Sequence, residues 1–163
     1  MKRPCRLDKE HAVSEFDCGE QALNNYLKQG AWQSQPGNTA ATFVSLQDNN
    51  VIAYYSFTIG AIMHEQALER TVKEFATFNM PVLLIDRLAV DKRTQWQHIG
   101  SRMLRDALLR ACALVQEAGI TCILANAIDE RARRFYQQFN FAPWPIDNLR
   151  LYLLVKDIRK ALA

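Results

Sequence analysis

Between Leu83 and Leu104 the chain runs from a nearly unbroken apolar stretch into a short polar turn and then directly into a helix. Val82–Val90 is apolar except at Asp86 and Arg87, which is how a strand covered on both faces reads. Lys92-Arg-Thr-Gln-Trp-Gln-His-Ile-Gly-Ser101 follows as the turn. Met103, Leu104, Ala107, Leu108, Ala111, Leu114, Val115 and Ala118 then recur at helical spacing, so a helix is expected over Gly100–Ala118, ended by Gly119. A strand that feeds a helix through so short a turn leaves unbonded N–H groups and the positive end of the helix dipole aimed at one spot. That arrangement holds phosphate. The next strand, Thr121–Ala127, makes the helix a crossover, and such crossovers join parallel strands.

The rest of the chain surrounds this unit. A short strand at Arg3–Leu7 leads to a helical region over Lys9–Phe16, broken at Asp17-Cys18-Gly19 and resumed over Glu20–Gln33. After a loop at Ser34–Asn38, Ala41–Leu46 and Val51–Ile62 read as a hairpin about Gln47–Asn50. Met63–Met80 has no clear period, with one helical turn suggested at Ala67–Val72. Asp129 can cap a helix running to about Phe139, and Phe141–Trp144 and Leu149–Val155 form a closing strand pair before a short helix at Asp157–Leu162. This order gives one α/β (α+β) domain over residues 1–163, with a mixed, mostly antiparallel sheet flanked by helices. It is not a doubly wound fold.

No apolar run approaches the ~18–20 residues of a membrane span, and the charged N-terminus is unlike a signal peptide, so a cytoplasmic protein without a membrane role is expected. Cys5, Cys18, Cys112 and Cys122 show no metal-ligand spacing and read as reduced, mostly buried small hydrophobes. A net charge of +3 is too small to name a partner by itself. A phosphate-loop NTPase is excluded because no G-K-[ST] follows the turn, and a dinucleotide fold because G-x-G-x-x-G is absent.

Three segments carry a resemblance to a known family: Phe16-Asp17-Cys18-Gly19 with Leu23 and Leu27, Ala53-Tyr54-Tyr55-Ser56, and Arg87-Leu88-Ala89-Val90-Asp91. With Arg134-Phe135-Tyr136-Gln-Gln-Phe-Asn140-Phe141, they make the chain similar over nearly its whole length to GCN5-related N-acetyltransferases (GNAT). Within that superfamily it resembles the acetyltransferase toxins of bacterial toxin–antitoxin pairs. The resemblance implies acetyl-CoA as cofactor, lying where two parallel strands splay apart. Its pantetheine arm would lie along Leu88, Ala89 and Val90, with Asn126 and Phe135 also in the cofactor site. Its pyrophosphate would lie over Gln95, Trp96, Gln97, His98, Ile99, Gly100 and Ser101. The family turn is Q-G-x-G-x-G, and here Trp96 and His98 replace its first two glycines, at a strain of ~1–3 kcal/mol if the loop keeps its shape. His98 is either a phosphate donor or an ordinary loop histidine.

The resemblance also makes Tyr136 the proton donor to the leaving thiolate, whereas spacing alone favours a core tyrosine on the Ala132/Phe139 face. Tyrosine, with a pKa of ~10, is a suitable acid for a thiolate of ~8.5. An α-amine acceptor, at ~7.7–8.0, needs no strong base. In the resembling toxins that acceptor belongs to aminoacyl-tRNA, and acetylation blocks translation. Arg87, Arg93, Arg131 and Arg134 are then candidates for tRNA phosphates, although Arg87 is equally a structural residue. A ribbon-helix-helix antitoxin is the implied protein partner, and a homodimer is left open. The competing readings are an enzyme for a small amine or protein N-terminus, and a non-catalytic relative with a degenerate pyrophosphate loop.

Overall fold

The computed structural model describes residues 2–62, 80–145 and 147–163. Its strands are β1 (Cys5–Arg6), β2 (Ala41–Gln47), β3 (Asn50–Ile62), β4 (Met80–Val90), β5 (Cys122–Asn126), β6 (Ala142–Trp144) and β7 (Asp147–Leu154). They form one seven-stranded sheet in the order β1-β2-β3-β4-β5-β7-β6. β4 and β5 are the parallel pair, as the crossover argument requires, while β1–β2, β2–β3, β5–β7 and β6–β7 are antiparallel. The helices are α1 (Gln21–Asn25), α2 (Ala31–Ser34), α3 (Ile99–Ala118), α4 (Glu130–Gln137) and α5 (Ile158–Leu162). Among the described residues, no helix is long and apolar enough to cross a membrane. The helical turn expected at Ala67–Val72 lies outside the described residues.

The chain divides into two compact units, Met1–Thr58 with Ile85–Leu109, and Ile59–Leu84 with Arg110–Ala163. In the first, Asp48 and Asn49 take φ of 49° and 65° between paired Gln47 and Asn50. This two-residue left-handed turn matches the twist of its strands and fixes the β2–β3 register. Val51 and Tyr54 of β3, on either side of a register shift at Ser45/Leu46 of β2, reach a core that they share with Phe16, Leu27, Ala31, Val44 and Ala89.

Two sequence expectations fail in this unit. Lys9–Phe16 is not helical. The Glu10 N–H donates to Asp8 Oδ1 (3.0 Å), the Asp8 N–H donates to His11 Nδ1 (2.9 Å), and Ala12 bridges Asn50. Local side chains thus satisfy the backbone that a helix would have used. Glu20–Gln33 is not one regular helix either, because a π turn at Tyr26–Gly30 separates α1 from α2. There the Ala31 N–H reaches back to the Tyr26 carbonyl, and Gly30 lies where a Cβ would sit 3.2 Å from the Tyr26 ring.

In the second unit β5 pairs with β7 from Cys122↔Leu154 to Asn126↔Arg150. Ile62, Met80, Val82, Cys122, Leu124 and Trp144 make its core. Asp129 caps α4 as expected, its Oδ1 accepting from the Ala132 N–H at 2.8 Å. Asn140 follows the helix in the left-handed region, at φ 65°. All four cysteines are free thiols, but only Cys122 is buried; Cys5 is exposed, and Cys18 and Cys112 are intermediate. Burial pushes the Cys122 thiol up to about 12.

Candidate functional site

Residues Arg87–Asp91 end β4 in the first unit. Ala89 packs into the core, and the strand's alternation leaves Leu88 and Val90 partly accessible on the other face. Arg87 lies on Ala89's face, with its guanidinium carbon 3.8 Å from the Tyr26 ring centroid and an ion pair to Asp86.

Asp91 closes the strand and organises the turn. Its carboxylate is fully buried. Oδ1 accepts from the Arg93 N–H and Nε, both at 2.9 Å, and Oδ2 accepts from the Asp17 N–H at 3.1 Å and Arg93 Nη2 at 2.8 Å. The Arg93 guanidinium holds the Asp91 carboxyl below the usual carboxylate range. Asp17 mirrors this role. Its carbonyl accepts from the Lys92 N–H (2.8 Å), its carboxylate pairs with Lys92 Nζ (2.6 Å), and Oδ1 accepts from the Gly19 N–H and Asn24 Nδ2, both at 2.9 Å. The Lys92 ammonium, with the Gly19 N–H and the Asn24 amide, keeps the Asp17 carboxyl low. The Phe16–Gly19 segment and the Arg87–Asp91 segment, read separately in the sequence, thus form one hydrogen-bonded assembly.

Gln95 completes it from within the turn, its Nε2 donating to the Val90 carbonyl (2.9 Å) and the Cys18 carbonyl (3.2 Å). Its side chain is therefore a strut for the loop. Beyond it, Trp96 and His98 take φ of 67° and 59°, the left-handed region that glycine occupies without strain. The indole is 83 % exposed, and Gln97 and His98 are exposed as well. Ile99 turns inward at 6 % exposure, and the Arg102 N–H to His98 carbonyl bond (3.1 Å) opens α3. The turn thus takes glycine-like geometry with non-glycine residues, and the Trp96 side chain projects into solvent.

The remaining candidates belong to the second unit. Tyr136, on α4, is 4 % exposed and packs between Phe135 (ring centroids 5.4 Å) and Phe141 (5.5 Å). Burial raises its pKa, so the hydroxyl keeps its proton throughout the neutral range. Asn126 ends β5, its Oδ1 accepting from Arg150 Nε at 3.4 Å. Arg134 pairs with Glu130 at 3.7 Å, and Arg131 is exposed on the first turn of α4.

Residues that sequence reasoning passed over include Asn24, whose Oδ1 accepts from the Cys18 N–H at 2.8 Å. Another is Asp106, 5 % exposed, which accepts from the Tyr55 hydroxyl at 2.7 Å and from Arg3 Nε at 3.1 Å. A carboxylate among the helical apolar positions of α3 was the available signal for Asp106.

Comparison with known proteins gives a consistent picture. The family model described as the acetyltransferase (GNAT) domain matches residues 38–143. A tRNA-acetylating toxin of Mycobacterium tuberculosis is 35% identical over 156 residues, covering 96% of this chain and 93% of the toxin. A solved structure of AtaT complexed with acetyl-methionyl-tRNAfMet superposes with a TM-score of 0.86 at 22% identity, covering 98% of each chain. The crystal structure of AtaTR bound with AcCoA gives 0.81 at 23% identity, covering 98% of this chain and 97% of that one.

Proposed function

This chain belongs to the GNAT acetyltransferase family, and from that premise we propose that it transfers acetyl from acetyl-CoA to the α-amino group of aminoacyl-tRNA. It thereby blocks translation, as the cytoplasmic toxin of a toxin–antitoxin pair, with residues 1–163 working as one acetyltransferase domain. The observation that carries this reading is the 35% identity to a tRNA-acetylating toxin over almost the full length of both proteins. The solved structure of the AtaT toxin bound to the C-terminus of the antitoxin AtaR supports an antitoxin as the protein partner, and the family resemblance implies one of ribbon-helix-helix type.

The left-handed turn at Trp96 and His98 supports a pyrophosphate site, because its backbone takes the geometry that glycine takes in the family turn while the Trp96 residue is 83 % exposed. Backbone N–H groups from Gln95 to Ser101 and the α3 dipole supply the field. With the Val90 carbonyl already bonded to Gln95, the N–H groups of Leu88 and Val90 and the Leu88 carbonyl are assigned to the pantetheine arm. Asn126 and Phe135 are assigned to the same cofactor. Bound acetyl-CoA supplies an activated acyl group. The acceptor nitrogen would form the C–N bond as the C–S bond breaks, Tyr136 would give its proton to the departing sulfur, and the proton the amine loses on becoming an amide would restore the tyrosine hydroxyl. A neutral α-amine attacks without a strong base, which favours it over a lysine side chain.

The decisive test is mass spectrometry of aminoacyl-tRNAs after incubation with the protein and acetyl-CoA. The expected result is an acetyl group on the α-amine of one or a few of them. Acetylation of a small amine or protein N-terminus with every aminoacyl-tRNA untouched would instead establish the alternative enzyme.

A further inference from the structure

Three of the four arginines that are candidates for tRNA phosphates have acidic or aromatic partners. Arg87 pairs with Asp86 and lies on Tyr26, Arg93 binds buried Asp91, and Arg134 pairs with Glu130. A concentration of positive charge lies elsewhere in the first unit. An open concavity of about 340 Å³ is walled by Lys2 and Arg3 on one side and by Arg102, Arg105 and Leu109 of α3 on the other. Arg102, Arg105 and Leu109 follow one another at i, i+3 and i+7, so a single stripe of the helix faces it. Asp106 contributes the only carboxylate of this lining. It is 5 % exposed, held by the Tyr55 hydroxyl, and it fixes Arg3 through the Nε bond.

The lining carries four cations and one carboxylate, a surplus of three. The whole chain has a formal net charge of +3, so the rest of the protein balances, cation for acid. The lining cations are exposed and the hollow is open to solvent. Pockets for small molecules usually enclose most of their ligand. An open hollow ringed by exposed cations suits a chain of phosphates better than one small anion.

We propose that this concavity docks the phosphodiester backbone of the tRNA substrate, with Arg102 and Arg105 as its phosphate contacts. The proposal rests on the aminoacyl-tRNA reading for its ligand, but binding tests it separately from catalysis. The experiment uses the full chain, deacylated bulk tRNA and fluorescence anisotropy over a salt series. It compares wild type, Arg102→Gln/Arg105→Gln, and Arg159→Gln/Lys160→Gln as an equal removal of charge on α5. KM for aminoacyl-tRNA and for acetyl-CoA is measured in parallel.

Each lost phosphate contact lowers the slope of log affinity against log salt by about 1. The α3 double variant should therefore lose about 2 from the slope, bind tRNA more weakly and show a raised KM for aminoacyl-tRNA only. The α5 variant should track wild type. Unchanged tRNA affinity and slope in the α3 variant overturn the proposal, as does an effect confined to the KM for acetyl-CoA, which would place the cofactor's own phosphates in the hollow. A wild type that does not bind tRNA overturns it too. Lost binding in the α3 variant, with no aminoacyl-tRNA acetylated by wild type, supports the docking surface while refuting the substrate.

Discussion

Asp91→Asn probes the assembly on which the turn depends. The carboxylate is wholly buried and takes four N–H donors on two oxygens. A carboxamide offers one oxygen, so if that oxygen stands at Oδ1 its NH₂ confronts both the Asp17 N–H and Arg93 Nη2. An orphaned buried N–H costs about 1–3 kcal/mol. Loss of the ion pair adds less than its geometry suggests, because the Arg93 side chain is 57% exposed and solvent screens it. For a chain of this length, about 2–4 °C per kcal/mol converts this to a melting temperature lower by roughly 2–12 °C, read by calorimetry. Arg93→Gln should cost less, since the carboxylate keeps two backbone donors. The same carboxyl predicts an acid limb. Its folded pKa is depressed, so its stabilisation is present above the ordinary carboxylate value of ~3.9 and is lost as pH falls from there through the folded value. Asp91→Asn should flatten part of that limb. Equal melting temperatures and an unchanged acid limb would refute the argument, and a larger loss in Arg93→Gln would invert it.

Trp96→Gly with His98→Gly removes left-handed strain of about 1–2 kcal/mol per residue, while glycine's chain entropy takes back roughly 0.5–1 at each. The double variant should melt slightly higher and bind acetyl-CoA more tightly by thermal shift; weaker binding would mean that those side chains belong to the site. Tyr136→Phe should keep the fold and acetyl-CoA affinity while turnover falls ~10²–10⁴-fold, whereas full activity would make the ring simply core. Burial raises the folded pKa of Tyr136 and of Tyr54, so unfolded chains lose those protons first. Stability should therefore decline as pH rises past ~10, and Tyr136→Phe should soften the decline in a urea titration.

The parts legible in the sequence were those with a period or a local cap. α3 followed from its apolar stripe, the parallel β4–β5 pair from the crossover, and α4 from Asp129. The resemblance supplied the turn's shape, and its left-handed φ values now stand at Trp96 and His98. The Asp91–Asp17 assembly was not legible, because a hydrogen bond spanning 74 residues leaves no periodic trace. Lys9–Phe16 was misread because its spacing suits a helix while Asp8 and His11 offer the backbone a closer alternative. The basic concavity escaped notice because Lys2 and Arg3 stand about a hundred positions before Arg102 and Arg105, and only folding brings them to one hollow.

The π turn at Tyr26–Gly30 bears on how this protein tolerates changes in length. Such a turn accommodates one surplus residue while the flanking segments keep their facing. Loss of a single solvent-facing position there, such as Lys28, should let the segment close into ordinary α-helix. Leu27 and Ala31 would still point into the core, and Gln35 would still reach the Leu7 carbonyl and the Thr42 N–H. A one-codon deletion, disruptive in most helices, is expected to be nearly silent here, and gene variants of unequal length should differ at this point more readily than within α3.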